Sequence, residues 1–196
     1  MLLFNCKKSP SIYDSDEIQI RKNTREIIYL YKEKPITGLI HERNTSGLIS
    51  KEFEVKKGKI SGPYREYYIG GSIKIEKFFL AGILEGTSKS FYKNGSIKEE
   101  LEYSDGLLTG KRTYYWENGL VKESNQFQRG IMTGENIYYY SNGQVQKRFE
   151  LNSFGKREGL WEDYYSNGKL RERVRYKNGN VVSEKLKYNK EGEKID

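Results

Sequence analysis

Apolar and charged residues alternate along short runs of this chain. Residues 96–103 read SIKEELEY, with apolar side chains set between charged ones. A second kind of run is rich in tyrosine, phenylalanine and tryptophan, as in KRTYYW at residues 111–116. Period-two alternation with aromatic and β-branched enrichment is typical of β-strands. The pattern therefore predicts paired strands and essentially no helix.

Glycine recurs along the chain with a step of 24 residues in three separate registers, and each register contains one step of 25. The three sets are Gly38, Gly62, Gly86, Gly110, Gly134 and Gly159; Gly47, Gly71, Gly95, Gly119, Gly143 and Gly168; and Gly58, Gly82, Gly106, Gly130, Gly155 and Gly179. One period in several registers indicates a tandem array of about six units. The extra residue lies in residues 151–155, and we expect it in a loop.

An Asn-Gly pair separates the two strands of most units. These pairs are Asn94-Gly95, Asn118-Gly119, Asn142-Gly143 and Asn167-Gly168. Asn-Gly favours a two-residue type I′ turn, so each unit is expected to form one β-hairpin. The predicted fold class is all-β, an open, elongated, single-layer array (solenoid) of tandem hairpins.

The turn sets which residues share a face of each hairpin. A two-residue turn at Asn94-Gly95 places Tyr92 opposite Ile97 and Phe91 opposite Lys98. A four-residue turn keeps that parity, whereas a three-residue turn breaks it. Opposed residues share a face, so Tyr92, Ile97 and the residues equivalent to them are expected on the core face.

The opposite face is then expected to carry an aromatic row beside cations, and this is the candidate binding site. Its residues are Tyr67, Phe91, Tyr115, Tyr139 and Tyr164 with Lys74, Lys98, Lys122 and Arg171, joined by Arg173 and Arg175, which alternate with Arg171. Aromatic and cationic side chains are common at interfaces, which supports a role in binding a partner. The alternative is a structural ladder, in which each ring packs on its neighbours and shields lysine stems.

Composition fits a repeat array better than a compact globule. The chain has 196 residues, an apolar fraction of 35% and a mean hydropathy of −0.86. Repeat units bury their faces mainly on each other, so they need fewer apolar residues. We expect a leader or cap at residues 1–24, the array at residues 25–188 and a tail at residues 189–196.

The net charge of +8 does not form a continuous basic stripe, because residues 61–144 hold ten basic and ten acidic side chains. A nucleic-acid partner is therefore not expected. The chain has one histidine, His41, and one cysteine, Cys6, so a Cys–His pair or a zinc site is not expected either.

Acidic residues recur at Glu99, Glu123 and Glu172, which are strand positions with basic or tyrosine neighbours. A hydrolase using paired carboxylates is an alternative, but an active site does not need a copy in every hairpin. We expect no enzyme activity and no cofactor.

The first residues, MLLFNCKK, resemble the end of a bacterial lipoprotein signal whose charged leader is missing. In that reading Cys6 is acylated and the protein lies at the cell envelope. The alternative is an ordinary N-terminus and a cytoplasmic protein, and Asn5 before the cysteine favours this alternative. No apolar run of 18 residues is present to span a membrane.

The repeat unit resembles the bacterial variant of the MORN repeat over about residues 31–188. The residues that carry the resemblance are Tyr103, Gly106, Leu108, Gly110, Tyr115, Asn118, Gly119, Val121 and Lys122. The chain is similar to the group of bacterial YwqK-type antitoxins. The resemblance implies a curved sheet of hairpins that binds proteins, or neutralises a partner as an antitoxin does.

The alternative function is that of a peripheral protein that binds phospholipid or glycan through the same aromatic row and its cations, with an anionic membrane as partner. Of these ligands, the resemblance implies phospholipid. The tryptophan of the eukaryotic unit Y-x-G-x-W is missing here, and Trp116 and Trp161 occupy other positions.

Overall fold

A computed structural model describes residues 10–24 and 26–195 of the chain. These residues form β-strands and one short 3-10 turn, Ser15–Glu17, and they contain no α-helix. The all-β prediction is therefore confirmed, and tandem hairpins make up most of the fold. The chain divides into two compact units, the first ending at Leu84 and the second beginning at Glu85.

The first unit combines two hairpins of the array with an N-terminal segment. Its strands are β1 (Ile12–Asp14), β2 (Gln19–Lys22), β3 (Ile27–Tyr31), β4 (Lys34–Pro35), β5 (Gly38–Arg43), β6 (Ile49–Lys56), β7 (Lys59–Tyr67), β8 (Ile73–Leu80) and β9 (Ile83–Leu84). Strands β5 to β8 form the hairpins, and β1 pairs in parallel with β5. Strands β2, β3 and β4 form a separate antiparallel sheet.

The small sheet covers the apolar core of the first unit. Ile36, Ile40, Phe53 and Val55 are buried there. The Tyr29 ring on β3 packs edge-on against Phe53, with 5.4 Å between the ring centroids. Full burial of such side chains stabilises a fold by roughly 1.5–3 kcal/mol each, so this segment contributes to the core of the first unit.

The second unit is a meander in which each strand from β10 to β17 pairs antiparallel with the next. Its strands are β10 (Gly86–Phe91), β11 (Ile97–Ser104), β12 (Leu107–Tyr115), β13 (Val121–Gln128), β14 (Ile131–Tyr139), β15 (Val145–Leu151), β16 (Arg157–Tyr164), β17 (Leu170–Lys177), β18 (Asn180–Val181), β19 (Leu186–Tyr188) and β20 (Lys194–Ile195). Strands β10 to β17 form four hairpins, and β18 to β20 complete the sheet after them.

The turn inside each hairpin has three residues rather than two. In the first hairpin of the second unit, the Tyr92 amide donates to the Ser96 carbonyl and the Gly95 amide to the Tyr92 carbonyl. Only Gly95 has a positive φ, of 86°. This is a type I turn closed by a left-handed glycine, so the predicted type I′ turn is wrong. Asn94 instead accepts a hydrogen bond from the Ser96 amide at 2.9 Å.

Type I′ geometry occurs at the connection between hairpins. Asp105 and Gly106 both have positive φ, 51° and 75°, and Ser104 pairs with Leu107 across them. The corresponding connection between β15 and β16 has a three-residue turn, because the Asn152 amide bonds the Lys156 carbonyl. The extra residue of the 25-residue step thus lies in a loop, as predicted.

The three-residue turn changes the register of each hairpin. Phe91 pairs with Ile97 and Ser90 with Glu99, so Lys98 is the extra residue of a β-bulge. The predicted pairing of Phe91 with Lys98 is therefore wrong, and so is the predicted pairing of Tyr92 with Ile97.

The observed register defines two faces in the second unit. Face 1 carries Glu99, Leu101, Arg112, Tyr114, Glu123, Asn125, Asn136, Tyr138, Lys147, Phe149, Trp161, Asp163, Glu172 and Val174. Face 2 carries Phe91, Ile97, Glu100, Thr113, Tyr115, Val121, Ser124, Ile137, Tyr139, Val145, Arg148, Glu162, Tyr164, Leu170 and Arg173.

Candidate functional site

The predicted aromatic row lies on a different face of the second unit from Lys98, Lys122 and Arg171, three of the cations predicted beside it. Phe91, Tyr115, Tyr139 and Tyr164 are half-buried on face 2. Phe91, Tyr115 and Tyr164 pair with the apolar side chains Ile97, Val121 and Leu170 in place of the predicted Lys98, Lys122 and Arg171, and Tyr139 pairs with Val145. The structure therefore does not bring the row and these cations together.

Two hydroxyl groups of the row bind carboxylates on face 2. Tyr115 donates to Glu100 at 3.2 Å and Tyr164 donates to Glu162 at 2.8 Å. Burial, followed by the bond to Glu162, raises the pKa of Tyr164 to about 12. Burial and Glu100 raise the pKa of Tyr115 as well. These contacts are of the kind expected for a packed ladder.

The first unit repeats this arrangement at Tyr67. Tyr67 pairs with Ile73 across the hairpin, and Lys74 is exposed beside it. Burial raises the pKa of Tyr67, with Glu52 adding to the shift. The predicted pairing of Tyr67 with Lys74 is wrong for the same reason as in the second unit.

Face 1 of the second unit holds two lysines against aromatic rings. The Lys98 ammonium lies 5.8 Å from the ring centroid of Tyr92 and 6.0 Å from that of Tyr114. The Lys122 ammonium lies 5.1 Å from the Tyr114 centroid and 4.6 Å from that of Trp116. Both distances to Lys122 are within the range of a cation–π contact, so aromatic–cation pairs are present, but with other rings than predicted.

The three arginines predicted to share one face are divided between the two faces. Arg171 is the bulged residue between Leu170 and Glu172 and lines the same cleft on face 1 as Trp161. Arg173 and Arg175 lie on face 2, where Arg173 faces Glu162 and Arg175 faces Leu160. The Arg173–Glu162 ion pair measures 3.8 Å. The prediction of a common arginine cluster is wrong because the bulge breaks the alternation.

A cleft of about 400 Å³ opens on face 1 over strands β14 to β17. Its floor is a stack of rings: Phe149 lies 5.9 Å from Tyr138 and 4.4 Å from Trp161, centroid to centroid. Tyr140, Tyr164, Gln146, Lys147, Asp163 and Arg171 complete the lining. Lys147 and Asp163 form an ion pair at 3.5 Å. The cleft therefore combines an aromatic floor with a charged rim.

The sequence did not single out Tyr138, Phe149, Trp161 or Asp163 as site residues, because a common period directs attention to what the units share. The signal is a departure from the repeat. Tyr114 and Tyr138 occupy one row of face 1, and Asp163 takes the next place in it. A repeat-by-repeat comparison in the observed register finds this exchange.

The recurring carboxylates on face 1 are held in ion pairs. Glu99 and Glu123 both contact Arg112, at 2.7 Å and 3.7 Å. Glu172 contacts Lys185 at 2.8 Å. Their observed contacts are with cations rather than with each other, which is the arrangement of strand residues with cross-strand partners.

His41 is buried, and its Nε2 atom lies 3.2 Å from a carboxylate oxygen of Glu52. Cys6 and the rest of the predicted lipoprotein signal fall outside residues 10–24 and 26–195. Within these residues, no three His, Cys, Asp or Glu side chains are placed to hold a metal ion. The same residues include no helix that is long and apolar enough to span a membrane.

The fold is that of an all-β hairpin-repeat protein, and comparison with known families agrees. Residues 84–105, 132–151 and 157–178 match the family described as MORN repeat variant. MORN repeats are non-catalytic repeat motifs that are generally associated with binding to proteins or membrane lipids. No curated protein matches the chain.

Proposed function

We propose that the chain is a non-enzymatic repeat scaffold that binds a protein partner through face 1 of its second unit. The observation that carries this proposal is the environment of Lys98 and Lys122. Their ammonium groups lie over aromatic rings, and no carboxylate within the described part of the chain forms a salt bridge with either of them. Their charges are therefore available to carboxylates of a partner.

Two neighbouring cations of the same unit, in contrast, form salt bridges with carboxylates of the chain. Lys89 is bound to Glu100 at 2.7 Å and Arg112 to Glu99 at 2.7 Å. Lys98 and Lys122 occupy equivalent places in successive hairpins, so they are spaced by two strands, roughly 10 Å. Aromatic rings beside cations supply both contact area and charge at interfaces. An extended acidic surface of a partner would match this spacing.

Affinity capture from the source cell, followed by mass spectrometry, identifies the partner. The double variant Lys98→Gln/Lys122→Gln is expected to weaken capture of that partner by about tenfold or more, since two charge-assisted contacts are lost. The matched control is Lys93→Gln/Lys111→Gln, which removes two exposed lysines of the same unit outside face 1. Equal capture by both double variants would exclude Lys98 and Lys122 as the binding residues.

Anionic membrane surfaces are the alternative partner, because they too attract unpaired lysines. Flotation with vesicles that contain anionic lipid separates the two functions. Binding that requires anionic lipid and disappears at high salt would favour the membrane. Binding to neutral and anionic vesicles alike, or to neither, would count against it. A glycan surface is tested in the same way with immobilised neutral and acidic oligosaccharides.

An antitoxin role is a special case of protein binding. It requires that the captured partner slows growth when it is expressed alone and that the chain restores growth when it is coexpressed. The double lysine variant should then fail to restore growth, whereas the matched control should restore it.

A further inference from the structure

The cleft on face 1 lies where two successive hairpins meet and depart from the repeat at three neighbouring positions, two on β15 and one on β16. Successive places in one row are Tyr114, Tyr138 and Asp163. Two further rows, 24 residues apart at each step, read Lys98, Lys122 and Gln146, and then Glu99, Glu123 and Lys147. A ring is thus replaced by a carboxylate, a cation by an amide, and a carboxylate by a cation.

These exchanges explain why the cleft exists. In the two preceding hairpins, the ring of Tyr114 and the ammonium of Lys122 or Lys98 fill the space above the sheet. Asp163 is shorter than a tyrosine by the whole aromatic ring, and it is drawn to Lys147. Gln146 is exposed. The space that Tyr114 and its neighbouring lysines fill is therefore open here.

The rim of the cleft carries excess positive charge. Lys147 and Asp163 offset each other in their ion pair. Arg171 is exposed, and among residues 10–24 and 26–195 no carboxylate makes a salt bridge with it. The floor, made of Tyr138, Phe149 and Trp161, is a ring surface. A matching guest has an aromatic group for the floor and a carboxylate for Arg171.

We propose that the cleft receives an aromatic side chain from an extended acidic segment of the partner protein, with a neighbouring carboxylate of that segment binding Arg171. The proposal rests on the proposed protein-binding function and names the chemistry of the partner. The guest ring takes the place that Tyr114 and Tyr138 take in the preceding hairpins. A volume of about 400 Å³ lies within the range of pockets that bind small organic groups.

Titration of the full chain with short peptides tests this directly. The probe is the acetylated peptide Glu-Glu-Tyr-Glu-Glu. It is compared with two control peptides: one carries alanine in place of the tyrosine, and the other carries lysine in place of each glutamate. Saturable binding, measured by calorimetry and by fluorescence of Trp161, is expected for the first peptide. Each of the two control peptides is expected to bind with an affinity at least about tenfold lower. Equal affinity for all three peptides, or no saturable binding, would overturn the proposal.

Variants locate the binding within the cleft. Asp163→Tyr/Gln146→Lys restores the residues that the repeat carries in the preceding hairpins, so it should fill the cleft and abolish peptide binding. The matched control is Ser90→Tyr, which adds a ring at the equivalent place of the first hairpin in this unit. Undiminished binding by the filled variant would contradict the proposal.

A second variant keeps the test valid if the filled protein does not fold. Arg171→Gln leaves the rings in place and should lower peptide affinity several-fold while reducing its dependence on salt. Unchanged affinity and salt dependence would contradict the role of Arg171. A cleft variant that binds a neutral oligosaccharide less well, when no peptide binds to the unaltered chain, would identify a glycan as the guest instead.

Failure of this inference is distinguishable from failure of the proposed function. If Lys98→Gln/Lys122→Gln loses partner capture and the cleft variants have no effect, the proposal for the cleft is overturned and the proposed protein-binding function stands. Retained capture by the double lysine variant, with loss in Arg171→Gln, would overturn the assignment of binding to the two lysines and support the cleft.

Discussion

The hydroxyl group of Tyr92 donates a hydrogen bond of 2.7 Å to the carbonyl oxygen of Tyr115, in the following hairpin. The same contact recurs from Tyr140 to the carbonyl of Tyr164 at 2.8 Å and from Tyr165 to that of Tyr188 at 2.9 Å. An aromatic residue at the end of one hairpin therefore holds the backbone of the next. Neighbour contacts of this kind supply much of the stability of a repeat array.

Trp116 occupies the same place in the second hairpin of the second unit, but its indole N–H is buried and has no hydrogen-bond partner among the described residues. Trp116→Tyr should let a hydroxyl reach the backbone carbonyl as in the other hairpins. We expect the free energy of unfolding to rise by ~0.5–1.5 kcal/mol, the net value of one hydrogen bond. Chemical denaturation followed by circular dichroism measures it. Tyr140→Phe, which removes an existing bond, should lower the value by a similar amount. A loss of stability in Trp116→Tyr would contradict this account.

Asparagine side chains in the turns form a second contact between hairpins. The Asn142 amide donates to the Ser166 carbonyl at 2.9 Å, while its oxygen accepts from the Gln144 amide at 3.0 Å. Asn142→Asp keeps the hydrogen-bond acceptor but loses the donor, so we expect the free energy of unfolding to fall by ~1 kcal/mol. Asn94→Asp is the matched control, because Asn94 accepts from Ser96 but donates to no neighbouring turn among the described residues. Thermal or chemical denaturation measures both variants, and an equal loss of stability in Asn142→Asp and Asn94→Asp would argue against the inter-hairpin bond.

Backbone strain between hairpins predicts a stabilising change at Arg129. Arg129 has a φ of 50° in the type I′ turn before Gly130, a conformation that asparagine adopts more readily than arginine. Arg129→Asn should therefore raise the free energy of unfolding by ~0.5–1 kcal/mol. Lys93→Asn serves as control, because Lys93 lies in a turn outside the positive-φ region. A gain at Lys93 equal to that at Arg129 would show that backbone strain is not the cause.

The sequence predicted the hairpins, the period and the position of the extra residue, because glycine and alternation report these features locally. It did not predict the register, since Asn-Gly fits both a two-residue type I′ turn and the observed three-residue turn. One residue in the turn exchanges the faces of a strand. That single residue placed Lys98 and Lys122 against Tyr114 instead of Phe91 and Tyr115.

The small sheet of the first unit could not be predicted from the period either. Strands β2 to β4 precede the regular units and share none of their glycines. Their contacts with the core depend on Tyr29, which meets Phe53 only in three dimensions. The cleft was missed for a related reason: its residues become neighbours only after the register of β14 to β17 is known.

The raised pKa of Tyr164 predicts how stability changes in alkali. Burial and the bond to Glu162 raise this pKa from 10.0 to about 12. The unfolded chain therefore releases the phenol proton first, and the stabilisation is fully present below about pH 10 and is lost as pH rises through about 12. Tyr164→Phe should make stability fall less steeply across that interval and should remove one late tyrosinate transition from the ultraviolet absorbance titration. Tyr139→Phe is the control, since among the described residues the Tyr139 hydroxyl has no carboxylate within hydrogen-bond distance. A stability profile of Tyr164→Phe that matches the unaltered chain between these pH values would show that the Glu162 contact does not hold the proton.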